Sequence, residues 1–341
     1  MKGVVLTGNR QLEIREFPKP KAGPGQVLIK MKVAAICGSD LHHYRRDPKP
    51  DEILYISGHE PCGIVEEAGA GVTHIIPGQR AALYHYQGCG TCGFCAAGLY
   101  QHCDKRSGFG NPRLPGSDAE YMVCDGVNAL VLPDKLSFID GSFVACIAGT
   151  AYRALKKLNL NAHTSLCIYG LGPVGLTALV LAKAMRPKKI ICVDPNPERR
   201  ELGKMHGADY ALDSDGNTVE EIISITGGGA ECSFETSGSA QAQKNIIESS
   251  AHFGRVAVSG NLGIYDTGVG VNLSRLISRE IEVFGSYVIS LSETHELMAF
   301  MAERNVSFDS LVTHRFPLEK AKEAFEIFDG NNTGKVIFEF E

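Results

Sequence analysis

Four cysteines occur within one short, glycine-rich stretch of the chain. The segment CGTCGFCAAGLYQHC, residues 89–103, contains Cys89, Cys92, Cys95 and Cys103. Four thiolates at this spacing can turn toward one point, as a tetrahedral Zn²⁺ site with sulfur ligands requires. Because four thiolates leave no open position for a substrate, we predict that this lobe holds a structural zinc ion.

A second group of potential metal ligands is spread over distant parts of the first half of the chain. Cys37, His59 and Cys146 offer two thiolates and one imidazole. Three protein ligands of these types leave the fourth position of a zinc ion open for water or substrate. An open position separates catalytic zinc from structural zinc, so this group is the candidate for the reactive centre.

A glycine pattern suited to phosphate binding lies in the stretch SLCIYGLGPVG. The stretch is predicted to end a strand and open a helix, and it contains Gly170, Gly172, Pro173, Val174 and Gly175. In this context the G-x-G-x-x-G pattern supplies a tight turn, a close backbone approach to a pyrophosphate and a close helix–strand contact. The helix N-terminus then faces the anion.

The next predicted strand ends in an acidic residue that favours one nicotinamide cofactor. Asp194 lies 19 residues after Gly175, where a carboxylate can accept hydrogen bonds from an adenosine ribose. A 2′-phosphate would meet this negative charge, so we predict NAD rather than NADP. Arg199 could soften that repulsion or pack on the ribose.

The predicted secondary structure that must position these residues changes from short strands to alternating strands and helices near residue 150. Residues 1–150 contain short β-like runs separated by Gly and Pro, which is typical of an irregular β domain. Residues 151–290 alternate strands and helices, including a helix over AQAQKNIIESSAHF, which predicts βαβ units and a parallel sheet. Residues 291–341 are predicted to form two helices and a closing strand that return to the first domain.

Composition excludes several classes of protein. A chain of 341 residues exceeds the roughly 250–300 residues at which one core stops growing, so two domains are expected. A net charge of -5 offers no basic field for nucleic acid or for an anionic membrane, and no run of about 18 apolar residues occurs. The N-terminus lacks a secretion signal, so we expect a cytoplasmic protein with reduced thiols. Five cysteines in apolar surroundings are predicted to be core residues: Cys62, Cys124, Cys167, Cys192 and Cys232.

Five motifs, in this order, make the chain resemble the zinc-dependent medium-chain alcohol and polyol dehydrogenases. They are CGSDLH, GHEPCGIVEEAGAGV, the four-cysteine lobe, CIAGTAY and GLGPVG. The resemblance covers essentially the whole chain. It implies an α/β plus β fold, with a GroES-like irregular β domain that carries both zinc ions and a Rossmann-type doubly wound domain that binds NAD.

The resemblance also implies roles around the catalytic metal. It makes Cys37, His59 and Cys146 ligands of the catalytic zinc, with Glu60 beside the metal as a transient ligand or an electrostatic neighbour. Asp40 would orient His59.

The implied reaction is the reversible oxidation of a secondary alcohol, polyol or sugar alcohol to the ketone. Zinc would support the alkoxide that delivers hydride to nicotinamide. By the same resemblance, Ser39 and His42 would pass the alcohol proton outward to water.

Two residues near the catalytic metal resemble different branches of the family. Gly38 resembles the polyol branch of the family, whereas Cys146 resembles the alcohol branch. The resemblance also implies that His85 and Tyr84 face the substrate pocket, and the polar His85 suggests a hydroxylated substrate. A primary alcohol or aldehyde dehydrogenase of the same fold is the main alternative, and a zinc module that only binds a partner is the remote one. We expect a homodimer or homotetramer that assembles through the segment IEVFGSYVIS.

Overall fold

The computed structural model describes residues 1–48, 53–260, 270–330 and 332–341. The chain divides into two compact units. The first contains Met1–Gly149 together with Ile289–Glu341, and the second contains Thr150–Val288. The C-terminal segment therefore belongs to the same unit as the N-terminal part of the chain.

The described residues form seventeen strands and eleven α-helices. The strands are β1 Lys2–Gly8, β2 Gln11–Glu16, β3 Gln26–Ala35, β4 Pro61–Ala68, β5 Arg80–Leu83, β6 Tyr86–Gln87, β7 Ser107–Gly108, β8 Tyr121–Asp125, β9 Ala129–Val131, β10 Ser165–Tyr169, β11 Lys189–Val193, β12 Tyr210–Leu212, β13 Ala230–Glu235, β14 Ser250–Val258, β15 Glu282–Gly285, β16 Val312–Phe316 and β17 Lys335–Glu339. The helices are α1 Asp40–Arg45, α2 Gly93–Ala96, α3 Phe138–Phe143, α4 Gly149–Lys157, α5 Pro173–Met185, α6 Pro197–Met205, α7 Thr218–Thr226, α8 Ala240–Glu248, α9 Leu273–Arg279, α10 Leu291–Arg304 and α11 Ala321–Asp329. None of these helices combines the length and the apolar character needed to cross a lipid bilayer.

The first unit is built on a seven-stranded mixed sheet. The strand order is β16-β17-β3-β4-β5-β9, and β8 also pairs with β3. Strand β3 alternates large apolar side chains, of which Val27, Ile29 and Met31 are fully buried in the core of this unit. The closing strand β17 pairs antiparallel with β3, with Ile337 opposite Ala35. This pairing carries the start of β17 to the end of β3, where the first predicted metal ligand follows.

The second unit is built on a six-stranded parallel sheet. The strand order is β12-β11-β10-β13-β14-β15, and every neighbouring pair is parallel. Strand β10 is buried along its whole length, as expected for a strand covered on both faces. The strand order reverses between β10 and β13, and ligands of doubly wound sheets bind at such a point. The predicted fold class is therefore confirmed.

Two local predictions have clear outcomes. The helix predicted over AQAQKNIIESSAHF is wrong in its last five residues, because α8 ends at Glu248 and β14 begins at Ser250. The Ser250 hydroxyl donates to the Ile246 carbonyl at 2.6 Å, which competes with continuation of the helix, and Ser250 pairs with Ala230 of β13. The prediction of five core cysteines is confirmed, because each has at most 1% of its surface exposed: Cys62, Cys124, Cys167, Cys192 and Cys232.

Candidate active site and metal centres

The first unit brings together the three predicted ligands of a catalytic metal. Cys37 Sγ lies 3.9 Å from Cys146 Sγ, and Cys146 Sγ lies 3.6 Å from His59 Nε2. Zinc–sulfur bonds of about 2.3 Å and zinc–nitrogen bonds of about 2.0 Å in a tetrahedron place neighbouring ligand atoms roughly 3.5–3.8 Å apart. The observed separations are the edges of such a tetrahedron, so these side chains fit a zinc ion without rearrangement.

Three different backbone features deliver these ligands. Cys37 follows the end of β3, directly before α1. His59 follows Gly58, whose φ is +90°, and a Cβ at Gly58 would lie 2.2 Å from Asp118 Oδ1, so only glycine fits this turn. Cys146 lies in a π-helical stretch, Val144–Ala148, that joins α3 to α4. Such single π turns often mark functional positions.

Asp40 orients the imidazole of His59. Asp40 Oδ1 lies 3.0 Å from His59 Nδ1, and Asp40 Oδ2 accepts the backbone N–H of Cys37 at 2.8 Å. One carboxylate thereby fixes two of the three ligand positions and leaves His59 Nε2 directed toward the two sulfurs.

Of the two residues predicted to carry the proton, Ser39 lies beside the metal-binding atoms and His42 lies at the surface. Ser39 Oγ lies 3.4 Å from His59 Nε2, so its hydroxyl lies beside the metal-binding atoms. His42 lies on α1 and is exposed to solvent. Its backbone N–H donates to the Ser39 carbonyl at 3.2 Å, which is a helical bond and not a side-chain contact.

The two thiols titrate as a pair. The hydrogen bond from Cys146 holds the pKa of Cys37 well below its ordinary value, and the nearby imidazole of His59 lowers it further. The same bond raises the pKa of Cys146 well above the ordinary value. The pairing therefore favours the thiolate of Cys37, which is the form that binds a metal.

Sequence reasoning missed one charged residue of this centre, Lys335. Lys335 Nζ lies 2.5 Å from Glu60 Oε2, and the two side chains have at most 1% of their surface exposed. Burial alone would lower the pKa of Lys335, but the negative charges of Glu60 and then of Cys37 raise it. Burial raises the pKa of Glu60 to about 8, against the opposing effect of Lys335. The only sequence signal was a lysine at the head of the apolar strand KVIFEFE.

The two residues predicted to face the substrate differ in placement. The His85 ring centre lies 5.6 Å from that of His59, and His85 Nδ1 lies 2.7 Å from the Ala145 carbonyl oxygen. Burial lowers the pKa of His85 to about 3, so the ring is neutral at physiological pH. The His85 ring lies beside a metal ligand. Tyr84 is fully buried and its hydroxyl donates to the Ile289 carbonyl at 2.9 Å, so its place in the substrate pocket stays a prediction.

The four cysteines of the glycine-rich lobe converge as the spacing predicts. Their sulfur atoms all lie within 4.8 Å of one another: Cys89, Cys92, Cys95 and Cys103. The Cys92 side chain accepts the backbone N–H of Cys95 at the start of α2. The Thr91 hydroxyl, followed by the N–H groups of Thr91 and Cys92, lowers the pKa of Cys89 to about 5. This donor set fits a closed zinc site.

In the second unit, the glycine-rich turn follows β10 at the point where the strand order reverses. Gly170 has φ +94°, and a Cβ at Gly175 would lie 1.8 Å from the Gly170 carbonyl oxygen, so both positions require glycine. Gly172 caps α5, and Pro173 is its first residue. Among the residues that the structure describes, a Cβ at Gly172 would meet no atom closer than 3.9 Å, so glycine there leaves room for a group from outside the protein. This arrangement fits the pyrophosphate of a dinucleotide.

Asp194 and Arg199 lie beside this turn. Asp194 is 3% exposed, and its two carboxylate oxygens accept the backbone N–H groups of Leu171 at 2.7 Å and Asn196 at 2.8 Å. The carboxylate therefore ties the end of β11 to the glycine turn, which the sequence did not reveal. Its remaining lone pairs are the ones that could accept a ribose hydroxyl. Arg199 Nη1 is the atom 3.9 Å from the Cβ position of Gly172.

Comparisons with known proteins agree with this geometry. Residues 23–134 match the alcohol dehydrogenase GroES-like domain, and residues 173–303 match the zinc-binding dehydrogenase domain. The Escherichia coli (strain K12) protein named uncharacterized zinc-type alcohol dehydrogenase-like protein YphC is 35% identical, over 100% of this chain and 99% of that protein. The L-threonine 3-dehydrogenase of Mesorhizobium japonicum is 29% identical, over 96% of this chain and 95% of that protein. The crystal structure of 2R,3R-butanediol dehydrogenase from Bacillus subtilis has a TM-score of 0.89 at 27% identity, and 100% of this chain and 99% of that chain are covered.

An irregular β unit with two metal-ligand clusters and a doubly wound nucleotide unit define a zinc- and nicotinamide-dependent oxidoreductase. The chain belongs to the zinc-dependent medium-chain dehydrogenase family, and within it to the alcohol dehydrogenases. The resemblance inferred from the sequence is therefore confirmed.

The buried pair of Glu60 and Lys335 leads to a double-mutant prediction. Lys335→Met leaves the Glu60 carboxyl buried without its counter-charge, so we expect the free energy of unfolding to fall by about 3–5 kcal/mol. Adding Glu60→Gln should recover much of this loss, because the unpaired charge is then absent. Urea unfolding of metal-loaded protein measures both effects. Lys322→Met is the control, because its ion pair with Glu326 is exposed and should contribute under about 1 kcal/mol. Additive effects of the two substitutions would contradict the pairing.

The closed cysteine lobe leads to a prediction about metal content. Cys95→Ser should lower bound zinc from about two to about one equivalent per chain and lower the melting temperature, while hydride transfer continues. Metal analysis, thermal unfolding and turnover on one preparation check this. Cys37→Ser is the matched variant and should lose turnover instead. The assignment is wrong if folded Cys95→Ser protein with metal at Cys37 loses hydride transfer while its melting temperature holds.

Proposed function

We propose that this chain oxidises a secondary alcohol that carries a second polar group, such as a polyol or sugar alcohol, with NAD as the acceptor, and that it catalyses the reverse ketone reduction. The observation that carries the proposal is the tetrahedral spacing of Cys37, His59 and Cys146 in a chain that also contains the glycine-rich turn. These three residues would hold the catalytic zinc, and the four-cysteine lobe would hold a structural one. When bound, zinc would supply a Lewis acid for the substrate oxygen, and the nicotinamide would accept the hydride.

The chain's own residues would bind and orient the substrate and move its proton. The Ser39 hydroxyl, 3.4 Å from His59 Nε2, would accept the proton of the substrate hydroxyl and release it toward solvent near His42. Asp40 would keep His59 in its tautomer and orientation. The buried cation of Lys335 would offset the charge that Glu60 and the thiolates place around the reacting oxygen.

The environment of His85 supports the choice of a substrate with a second polar group. Because its Nδ1 contacts a carbonyl oxygen, that nitrogen carries the proton, and Nε2 of the neutral ring is an acceptor. A second hydroxyl on the substrate would satisfy this acceptor. The names of L-threonine 3-dehydrogenase and 2R,3R-butanediol dehydrogenase point the same way, since threonine and butanediol carry a polar group beside a secondary hydroxyl.

The charge of Asp194 supports NAD over NADP. A 2′-phosphate on the adenosine ribose would be placed against this buried carboxylate, and Arg199 would offset the repulsion only in part. The Gly170, Gly172 and Gly175 turn, with Pro173 and Val174, would hold the pyrophosphate.

The function is tested by following NADH absorbance with an alcohol panel. We expect kcat/KM with secondary diols and sorbitol to be at least about tenfold above that with ethanol. We expect NAD to be preferred over NADP by at least about fivefold, since one like-charge contact costs about 1 kcal/mol or more. Zinc-loaded protein that turns over no alcohol with NAD⁺ would rule the proposal out. A preference for ethanol would favour a primary alcohol dehydrogenase instead.

We also propose that the chain forms a homodimer or homotetramer through the segment that contains β15. This strand lies at the edge of the parallel sheet and pairs only with β14 among the described strands, and Val283 on it is 47% exposed. Val283→Lys should therefore shift the protein toward monomer in sedimentation velocity. Val127→Lys, at a valine of similar exposure in the other unit, is the control. A wild-type protein that sediments only as a monomer would remove this proposal.

A further inference from the structure

One buried carboxyl group lies beside the nucleotide crevice without a role in the reaction described above. Glu235, the last residue of β13, has no exposed surface. Its Oε1 accepts the backbone N–H of Ser237 at 2.7 Å, the Ser237 hydroxyl at 2.5 Å and the backbone N–H of Gly238 at 2.9 Å. A single carboxylate oxygen thus holds the turn that follows β13, residues 236–239, in one conformation.

The second oxygen of Glu235 is not used in the same way. Oε2 is buried and accepts no hydrogen bond from the turn, whereas the Gln243 side chain donates to the carboxyl and lowers its pKa. A Cβ at Gly260 would lie 2.4 Å from this oxygen and 2.1 Å from the Gly238 nitrogen, so the ends of β13 and β14 meet closely around it. Burial raises the pKa of Glu235, and the donors of the turn oppose that shift.

The turn that Glu235 holds packs directly on the glycine-rich turn. Thr236 donates its backbone N–H to the Tyr169 carbonyl at 2.9 Å, and its hydroxyl lies 2.9 Å from the Gly170 carbonyl oxygen. A Cβ at Gly170 would lie 2.7 Å from the Thr236 hydroxyl and 3.0 Å from the Ser237 nitrogen. The position of residues 236–239 therefore sets one wall of the crevice.

The order of the strands indicates which half of a dinucleotide meets this wall. Asp194 follows β11 on one side of β10, and Glu235 ends β13 on the other side. A dinucleotide with its pyrophosphate at the Gly170–Gly172 turn and its adenosine ribose at Asp194 must extend its other half over β13 and β14. That half carries the nicotinamide.

We propose that Glu235 is a positioning residue for the nicotinamide half of the cofactor. It acts through the 236–239 turn, which it holds against the glycine-rich turn, and it does not contact the reacting atoms. The proposal rests on the nicotinamide cofactor of the proposed function, and it assigns binding of the two halves of that cofactor to opposite sides of β10.

The test compares NADH with ADP-ribose, which lacks the nicotinamide ring. In Glu235→Ala the turn loses three hydrogen bonds to a carboxylate, so the Kd for NADH should rise at least about tenfold. The Kd for ADP-ribose should change less than about threefold, because its contacts lie on the Asp194 side. Calorimetric titration of the purified holoenzyme measures both constants without turnover. Glu235→Gln, which keeps an acceptor oxygen of the same reach, should recover most of the NADH affinity.

The control is Glu231→Ala, at the opposite end of the same strand, where the Glu231 carboxylate accepts the backbone N–H of Ser165 at 2.9 Å. It should leave both dissociation constants unchanged. If Glu235→Ala does not fold, Ser237→Ala removes only the hydroxyl donor and should give a smaller loss, of about threefold, again confined to NADH. Equal losses for NADH and ADP-ribose, or no loss for either, would overturn the proposal. Wild-type protein that binds neither compound would instead contradict the proposed cofactor.

Discussion

Two sulfur atoms and one imidazole nitrogen must lie at three corners of one tetrahedron. This requirement governs the architecture of the first unit. Cys37, His59 and Cys146 come from a strand end, a glycine turn and a π-helical stretch, and no two of them are close in sequence. Separations of 3.9 Å and 3.6 Å leave little tolerance, since a metal–ligand bond is sensitive to a few tenths of an ångström. Two of the ligands are correspondingly constrained: Asp40 contacts both Cys37 and His59, and Gly58, next to His59, has no space for a side chain.

The negative charges of this buried centre must also be balanced. Two thiolates and one carboxylate in a buried site would repel one another strongly if nothing compensated them. The ammonium of Lys335 lies within that site, and together with a divalent ion it would bring the formal charge to zero. The pairing of β17 with β3 delivers this ammonium, so the C-terminal strand contributes a charge to the centre as well as a strand to the sheet. The C-terminal segment is therefore an electrostatic part of the centre.

The nucleotide unit uses buried carboxylates in a related way. Asp194 and Glu235 lie at the ends of strands on either side of β10, and each accepts backbone N–H groups from a turn that borders the crevice. Charge-assisted hydrogen bonds of this kind hold loop backbone more firmly than neutral ones do. The loops that would contact a cofactor are thus fixed before any cofactor binds, which lowers the entropy cost of binding.

Local sequence alone determined the cysteine lobe, the glycine-rich turn and the fold class of this protein. The spacing of four cysteines within residues 89–103 predicts their convergence, because a short glycine-rich loop has few other ways to place four thiols. The G-x-G-x-x-G turn between a strand and a helix is equally local, and its glycines have the conformations that the pattern implies. The motifs and their order also predicted the family and the folds of the two units, because each motif spans only a few residues.

Only the tertiary structure decided the features that depend on contacts between distant residues. Lys335 is separated from Glu60 by most of the chain, and nothing near either residue signals the pair. The closeness of His85 to the metal ligands depends on its contact with His59, which comes from another segment. Glu235 became informative only when the strand order placed it on the other side of β10 from Asp194. The physical reason is common to all three: burial and charge pairing arise from packing between elements, whereas sequence patterns report conformation within one element.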